Sequence, residues 1–266
     1  MPNHDNGTGG EDLATARTKC RGCRDGEELP FSFTMAFHPI MDLGAGRPWG
    51  YEALVRGVNG EGAGHVLGRL DEDNLYRFDQ AARVKAIELA GRLFPRGGAE
   101  KLSINFMPNA VYEPTACIRA SLGAAARVGF DPRRLMFEFT ENEPMANTAH
   151  VKNIIQAYRR MGFTTALDDF GAGYAGLSLL SEFQPDLIKI DMQLLRGIEA
   201  SRRKQAIVAA LTWLCRELGI AVVAEGIETE AELKVIRAAG INLVQGYFFA
   251  KPAVERLPEA QFTLAA

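Results

Sequence analysis

Long hydrophobic runs are missing from this sequence of 266 residues. No stretch approaches the roughly 18 apolar residues of a membrane-spanning helix, and the best candidate, Ile207 to Cys215, is broken at once by Arg216 and Glu217. The N-terminal segment has no apolar core of the secretory type, so a reducing cytoplasm is the expected compartment. Cysteine is scarce: four in the whole chain do not make a disulfide framework. Cys20 and Cys23 form one C-x-x-C that reads as half of a zinc site, a redox pair or neither, since no second C-x-x-C or H-x-x-x-H completes a ligand set. Cys117 and Cys215 sit among apolar residues and are expected in the core. Positive charge is not in excess either. Lys and Arg number 30 against 33 Asp and Glu, a formal net charge of −3, which argues against a polymeric DNA or RNA partner and against a membrane surface, because both select clustered cations. A local phosphate site is compatible with that balance. Internal repeats and low-complexity tracts are absent.

What is present is a regular alternation of periods. Residues 1–30 are poor in large apolar side chains and are expected to be a flexible tail or linker, with one folded domain over 31–266. Phe31 to Asp42 and Trp49 to Arg56, joined by a Gly/Pro-rich turn, predict an antiparallel strand pair, since the connection is too short for a helical crossover. Thereafter helices and strands take turns. Helices are predicted over Asp73–Phe94, Pro114–Val128, Thr148–Met161, Leu177–Phe183, Arg202–Leu218 and Glu230–Ala238. Between them, strands are predicted over Leu102–Met107, Leu135–Thr140, Thr164–Leu167, Leu187–Ile190, Ile220–Ala224 and Asn242–Val244. Eight strands in all, mostly separated by helices, predict an α/β fold of the closed TIM-like (β/α)8 type with an antiparallel first strand. An open doubly wound sheet would instead place a Gly-rich dinucleotide fingerprint after an early strand, and none occurs there.

Polar residues recur at the C-terminal ends of seven successive strands: Glu52, Asn105, Glu138, Asp168 with Asp169, Lys189, Glu225 and Gln245. In a barrel that face is where active sites form. Singly, each has a plain structural reading. Asp168-Asp169 suits a turn or a helix cap, Lys189 could pair with Asp186 or Asp191, Glu225 could open the turn at Gly226, and Asn105 precedes Pro108. Together they form a pattern that independent turn preferences do not produce. Five carboxylates against one lysine leave about four negative charges in excess, and carboxylates that close repel one another and raise their own pKa values. A cation is therefore expected, and ligation by oxygen alone points to Mg²⁺ or Mn²⁺. Asp168-Asp169 is the natural bridge between two such ions. The segment Phe170-Gly171-Ala172-Gly173-Tyr174 lacks the Lys-Ser/Thr of a P-loop and fits better as a mobile lid with glycine hinges.

At these residues the sequence resembles the EAL-domain family of cyclic di-GMP phosphodiesterases. The resemblance is carried by Glu52-Ala53-Leu54-Val55-Arg56, Ser103-Ile104-Asn105-Phe106, Phe137-Glu138-Phe139-Thr140-Glu141 and Asp168 through Tyr174. It continues with Ile188-Lys189-Ile190-Asp191, Ala224-Glu225-Gly226-Ile227-Glu228-Thr229 and Gln245-Gly246-Tyr247 through Lys251-Pro252. It implies that Glu52, Asn105, Glu138 and Asp168 hold one metal ion and Asp168 and Asp169 a second. It further implies that Lys189 orients or activates the attacking water and that Glu225 assists as metal-linked ligand or general base. Leu54 and Arg56 would contact substrate, Gln245 would lie close to the metal and its waters, and Glu141 would anchor the lid. The implied substrate is cyclic di-GMP and the product linear pGpG. Mg²⁺ or Mn²⁺ should support turnover while Ca²⁺, larger and looser in geometry, should inhibit. A homodimer with the lid near its contact is also implied. Two positions depart from the family pattern, His38 before Pro39-Ile40 where Gln is usual and Gly57 after Arg56, and neither is a metal ligand. The alternatives are a catalytically silent domain that binds cyclic di-GMP or a protein partner, and, more distantly, a Schiff-base aldolase using Lys189, which the surrounding carboxylates disfavour by keeping that amine charged.

Overall fold

A computed structural model describes residues 29–111, 113–140, 148–173 and 176–261. Two long strands open it, β1 (Thr34–Asp42) and β2 (Arg47–Arg56), paired antiparallel through the turn between them. Asp42 fixes that turn, its Oδ1 accepting from the backbone N–H of Gly44 at 2.8 Å and of Ala45 at 3.0 Å. The strands β3 (Lys101–Asn105), β4 (Leu135–Thr140), β5 (Thr164–Phe170), β6 (Leu187–Ile190), β7 (Ala221–Ala224) and β8 (Leu243–Gln245) follow. Each is parallel to the one before, from β2 onward. β8 then pairs antiparallel with β1, which closes an eight-stranded barrel whose first strand runs against both its neighbours. The expected TIM-like architecture is thus the one observed. A two-residue strand, β9 (Ala253–Val254), adds to the other end of β1 and had no sequence signal.

The helices are α1 (Ala63–Leu67), α2 (Leu75–Leu93), α3 (Pro114–Cys117), α4 (Arg119–Val128), α5 (Thr148–Arg160), α6 (Gly176–Glu182), α7 (Met192–Leu195), α8 (Arg202–Leu218) and α9 (Glu230–Ala238). The single helix predicted from Pro114 is interrupted at Ile118, although backbone hydrogen bonds run through the bend. Among the described residues no helix is long and apolar enough to cross a membrane.

Strand alternation divides the core in two. Outward side chains such as Phe137, Phe139, Leu167, Ile188 and Ala224 pack against the helices in the large hydrophobic cluster. A small separate cluster of Ile40, Met136, Ala166, Leu187 and Val223 fills the barrel interior. Since side chains two apart on a strand share a face, this plug fixes what lies above it. Met136 places Glu138 inward, Ala166 places Asp168, Leu187 places Lys189 and Val223 places Glu225. Cys117 and Cys215 are buried as expected. Cys20, Cys23, Glu141 and Tyr174 lie outside the described residues.

Candidate active site

Directly above the plug, Lys189 is 1% exposed and its ammonium is shared among four carboxylates. Nζ lies 2.6 Å from Glu225 Oε1, 3.0 Å from Glu138 Oε2, 3.1 Å from Asp168 Oδ1 and 3.6 Å from Glu52 Oε2. The two partners left open by the sequence are engaged elsewhere: Asp186 accepts from Thr165 and pairs with Arg159, and Asp191 caps α7. Glu52 is held from both sides, accepting from Asn105 Nδ2 at 3.2 Å and from Gln245 Nε2 at 2.9 Å.

Asp169 reaches the same place by an irregularity. Neighbouring side chains of a regular strand point to opposite faces, but the β5–β6 register shifts between Leu167 and Phe170, and Asp169 takes a left-handed backbone at φ 53°. Both carboxylates thereby face one pocket. Oxygens of Asp168, Asp169 and Glu225 lie within 4.8 Å of one another, as do those of Glu52, Glu138 and Asp168, so Asp168 belongs to both triads.

Burial dominates the electrostatics. It lifts Glu138 to about 8, against the pull of Lys189 and with the help of the Glu52 and Asp168 charges. Burial likewise holds Glu225 well above the carboxylate range and raises Asp168, and it brings Asp169 to about 6 with the neighbouring Asp168 charge adding to the effect. For Glu52 burial is outweighed by Lys189 and by the Gln245 hydrogen bond, so its pKa is lowered. Lys189 is held well above its ordinary value because its carboxylate neighbours overcome burial. One lysine therefore does not neutralise the cluster, which retains protons on buried acids instead.

The donor set suits hard divalent ions. Both triads offer only oxygen, and Glu138 Oε1 is buried without a hydrogen-bond partner. An unsatisfied carboxylate oxygen at that depth costs free energy unless something binds it. Ser103 Oγ, two residues before Asn105 on β3, lies near enough to Glu138 to lower its pKa although neither Oγ nor Oε1 makes a well-formed hydrogen bond, and it was not singled out by sequence reasoning.

Between the ends of β2 and β3 and the helices α1 and α2 opens a mostly apolar cavity of about 700 Å³, lined by Leu54, Val55, Tyr76, Ile104 and Thr140 among others and reached from the cluster by Asn105. Arg56 is not drawn into the cluster; its Nη1 donates to the Val55 carbonyl at 2.7 Å. His38 lies across from Glu52 in the β1–β2 register, and its Nε2 donates to the Ala250 carbonyl at 3.1 Å. Burial lowers its pKa against the opposing pull of Glu52. Phe170 is buried, whereas Gly171, at φ 95°, is exposed at the start of the loop beyond β5. Gly171, Gly173 and Gly176 match a dinucleotide fingerprint by spacing, yet they follow the fifth strand of a closed barrel and not the first turn of an open sheet.

The family model described as the EAL domain matches residues 31–252, the span that contains every residue of this cluster. The chain belongs to this family. Three relatives set the EAL domain in context. A standalone versatile EAL protein from Vibrio cholerae O395, solved in a c-di-GMP bound form, is 50% identical, with a TM-score of 0.84 over 88% of this chain and 98% of that one. The blue light- and temperature-regulated antirepressor BluF of Escherichia coli (strain K12) is 32% identical over 223 residues, 84% of this chain and 55% of BluF. The probable cyclic di-GMP phosphodiesterase PdeG of the same organism is 30% identical over 256 residues, 87% of this chain and 46% of PdeG. The chain thus spans about half the length of these two curated relatives.

Proposed function

We propose that this EAL domain hydrolyses cyclic di-GMP to linear pGpG with the help of two divalent ions, Mg²⁺ or Mn²⁺. The observation that carries the reading is the convergence of five strand-end carboxylates in one cluster, four of them on one buried lysine, with Asn105 at its edge also lining a cavity large enough for a nucleobase. Glu52, Asn105, Glu138 and Asp168 would hold one ion and Asp168 with Asp169 the other. Such a pair supplies a nucleophile at neutral pH and neutralises charge on the phosphate.

The chain's own residues do the rest. Lys189, fixed by four acids, presents an ammonium that orients the attacking water and offsets charge gathering on phosphorus. Glu225, at 2.6 Å from that ammonium and with its pKa raised by burial, takes and holds the proton of the water. The oxygen of the water bonds to phosphorus, the P–O3′ bond breaks, and the proton held by Glu225 passes to O3′, so that the ribose leaves as an alcohol. Leu54 offers the apolar wall against which a guanine rests, and Arg56 reaches a substrate phosphate by leaving the Val55 carbonyl. Gln245 acts by keeping Glu52 in place. The loop that begins at Phe170 and Gly171 closes over the site, and two copies associate near it.

The test uses the full chain, cyclic di-GMP and Mn²⁺, with product followed by ion-exchange chromatography. Linear pGpG is expected, with loss of turnover when EDTA or Ca²⁺ replaces Mn²⁺. Tight binding of cyclic di-GMP without linear product, even at alkaline pH, would establish the silent, sensor-like alternative instead, which the similarity to an antirepressor keeps in view.

A further inference from the structure

A second buried ionic group lies outside the barrel. Asp79 and Arg83 sit one turn apart on α2, 4% and 3% exposed, with Arg83 Nη1 at 2.9 Å from Asp79 Oδ2. The pairing is imperfect: neither of these two atoms makes a well-formed hydrogen bond, and Arg83 Nε has no partner either. A buried pair of this kind adds little stability over apolar residues of similar volume. Its other oxygen does something an apolar side chain cannot. Asp79 Oδ1 accepts the backbone N–H of Met107 at 3.0 Å.

Met107 lies two residues after Asn105, whose amide meets Glu52. Between them, Phe106 N–H donates to the Glu138 carbonyl at 2.9 Å, and the Phe106 ring packs against Phe137, Phe139 and Tyr158. Next comes Pro108, which has no N–H and starts a 3₁₀ turn. The Met107 N–H is therefore the last backbone donor before the chain turns away, and its acceptor comes from the helix layer.

We propose that Asp79, held in place by Arg83, is a positioning residue: through Met107 it fixes the end of β3 so that Asn105 stands at the Glu52 side of the metal site. The inference rests on the reading above only in taking Asn105 as a metal ligand. Partners that orient a ligand commonly matter by about 10- to 100-fold in metal affinity.

The experiment compares two double variants of the full chain, each free of the buried charge pair. D79N/R83M keeps an oxygen for Met107 N–H, and D79L/R83M does not; D79A/R83M repeats the second case should the larger side chain not fit. Circular dichroism checks folding, and Mn²⁺ affinity is measured by calorimetry on EDTA-stripped protein. D79L/R83M is expected to bind Mn²⁺ about tenfold more weakly than wild type, while D79N/R83M stays within about threefold. Placed on an Asn105→Ala background, the two should become indistinguishable. Wild-type affinity in folded D79L/R83M, or equal losses in both variants regardless of Asn105, overturns the proposal. A wild-type chain that binds Mn²⁺ but leaves cyclic di-GMP intact removes the hydrolytic reading and leaves the positioning role standing; one without Mn²⁺ affinity overturns both.

Discussion

Lys189 is the residue on which the cluster balances. With four carboxylates within 3.6 Å it is their counter-ion, and its charge outweighs burial at Glu52, whose pKa is lowered, but not at Glu138, which burial still pushes toward protonation. Glu225 is its nearest partner, and Glu225→Gln tests the division of labour between them. The amide keeps an oxygen for Lys189 but can no longer take a proton, so turnover should fall by about 100-fold or more with cyclic di-GMP affinity changed little. Steady-state rates and a binding isotherm on the same variant decide it, and wild-type turnover would refute the role. At this scale the sequence was informative because an acid or amide directly after an apolar strand is conspicuous. The partner of Lys189 was not legible, since Asp186 and Asp191 are near in sequence while Glu52 and Glu138 are near only once the barrel closes. Asp79 left no sequence signal either: α2 carries two acids, Asp79 and Glu88, and only burial sets the first apart.

At the level of elements, strand periodicity located the barrel, and its failures fall where geometry is irregular. β5 was expected to stop at Leu167 but runs to Phe170, because the register shift and the left-handed Asp169 extend it by a route that alternation does not describe. That same irregularity brings two adjacent carboxylates to one pocket. Elsewhere the ends of strands are pinned by close backbone approach. Gly246 follows Gln245, and a Cβ on it would overlap the backbone of Ile227, whose N–H donates to the Gln245 carbonyl at 3.1 Å and whose carbonyl accepts from Phe248 at 3.0 Å. Gly246→Ala must push the end of β8 away from the loop that carries Glu225. We expect a loss of stability of about 1–3 kcal/mol in urea unfolding, together with weakened turnover. A variant that unfolds at the wild-type midpoint would show that the two segments separate freely.

Across the whole molecule, the concentration of charge in one buried place couples stability to pH and to metal. Asp169, at about 6, and Glu138, at about 8, have pKa values raised above those of an unfolded chain, as has Glu225. Each of these acids binds its proton more tightly folded than unfolded. The stability this confers is complete below the ordinary carboxylate range and is lost as pH rises through the folded values. Lys189, also raised, adds a term that persists until strongly alkaline pH, and Glu52, lowered, adds one that is present above its unfolded value. Between pH 5 and 9, on the order of the window these shifts define, the metal-free protein should therefore become progressively less stable. Divalent ions bind the ionised carboxylates of the folded state and not the unfolded chain, so they should oppose the trend most strongly at its alkaline end. Thermal unfolding across that range, in EDTA and in Mn²⁺, is the measurement. Tm should fall by several degrees in EDTA and much less with Mn²⁺, and the gap between the two curves should widen with pH. Parallel curves would mean that the buried acids do not exchange their protons for metal, and that the negative charge of the barrel mouth is balanced by some other means.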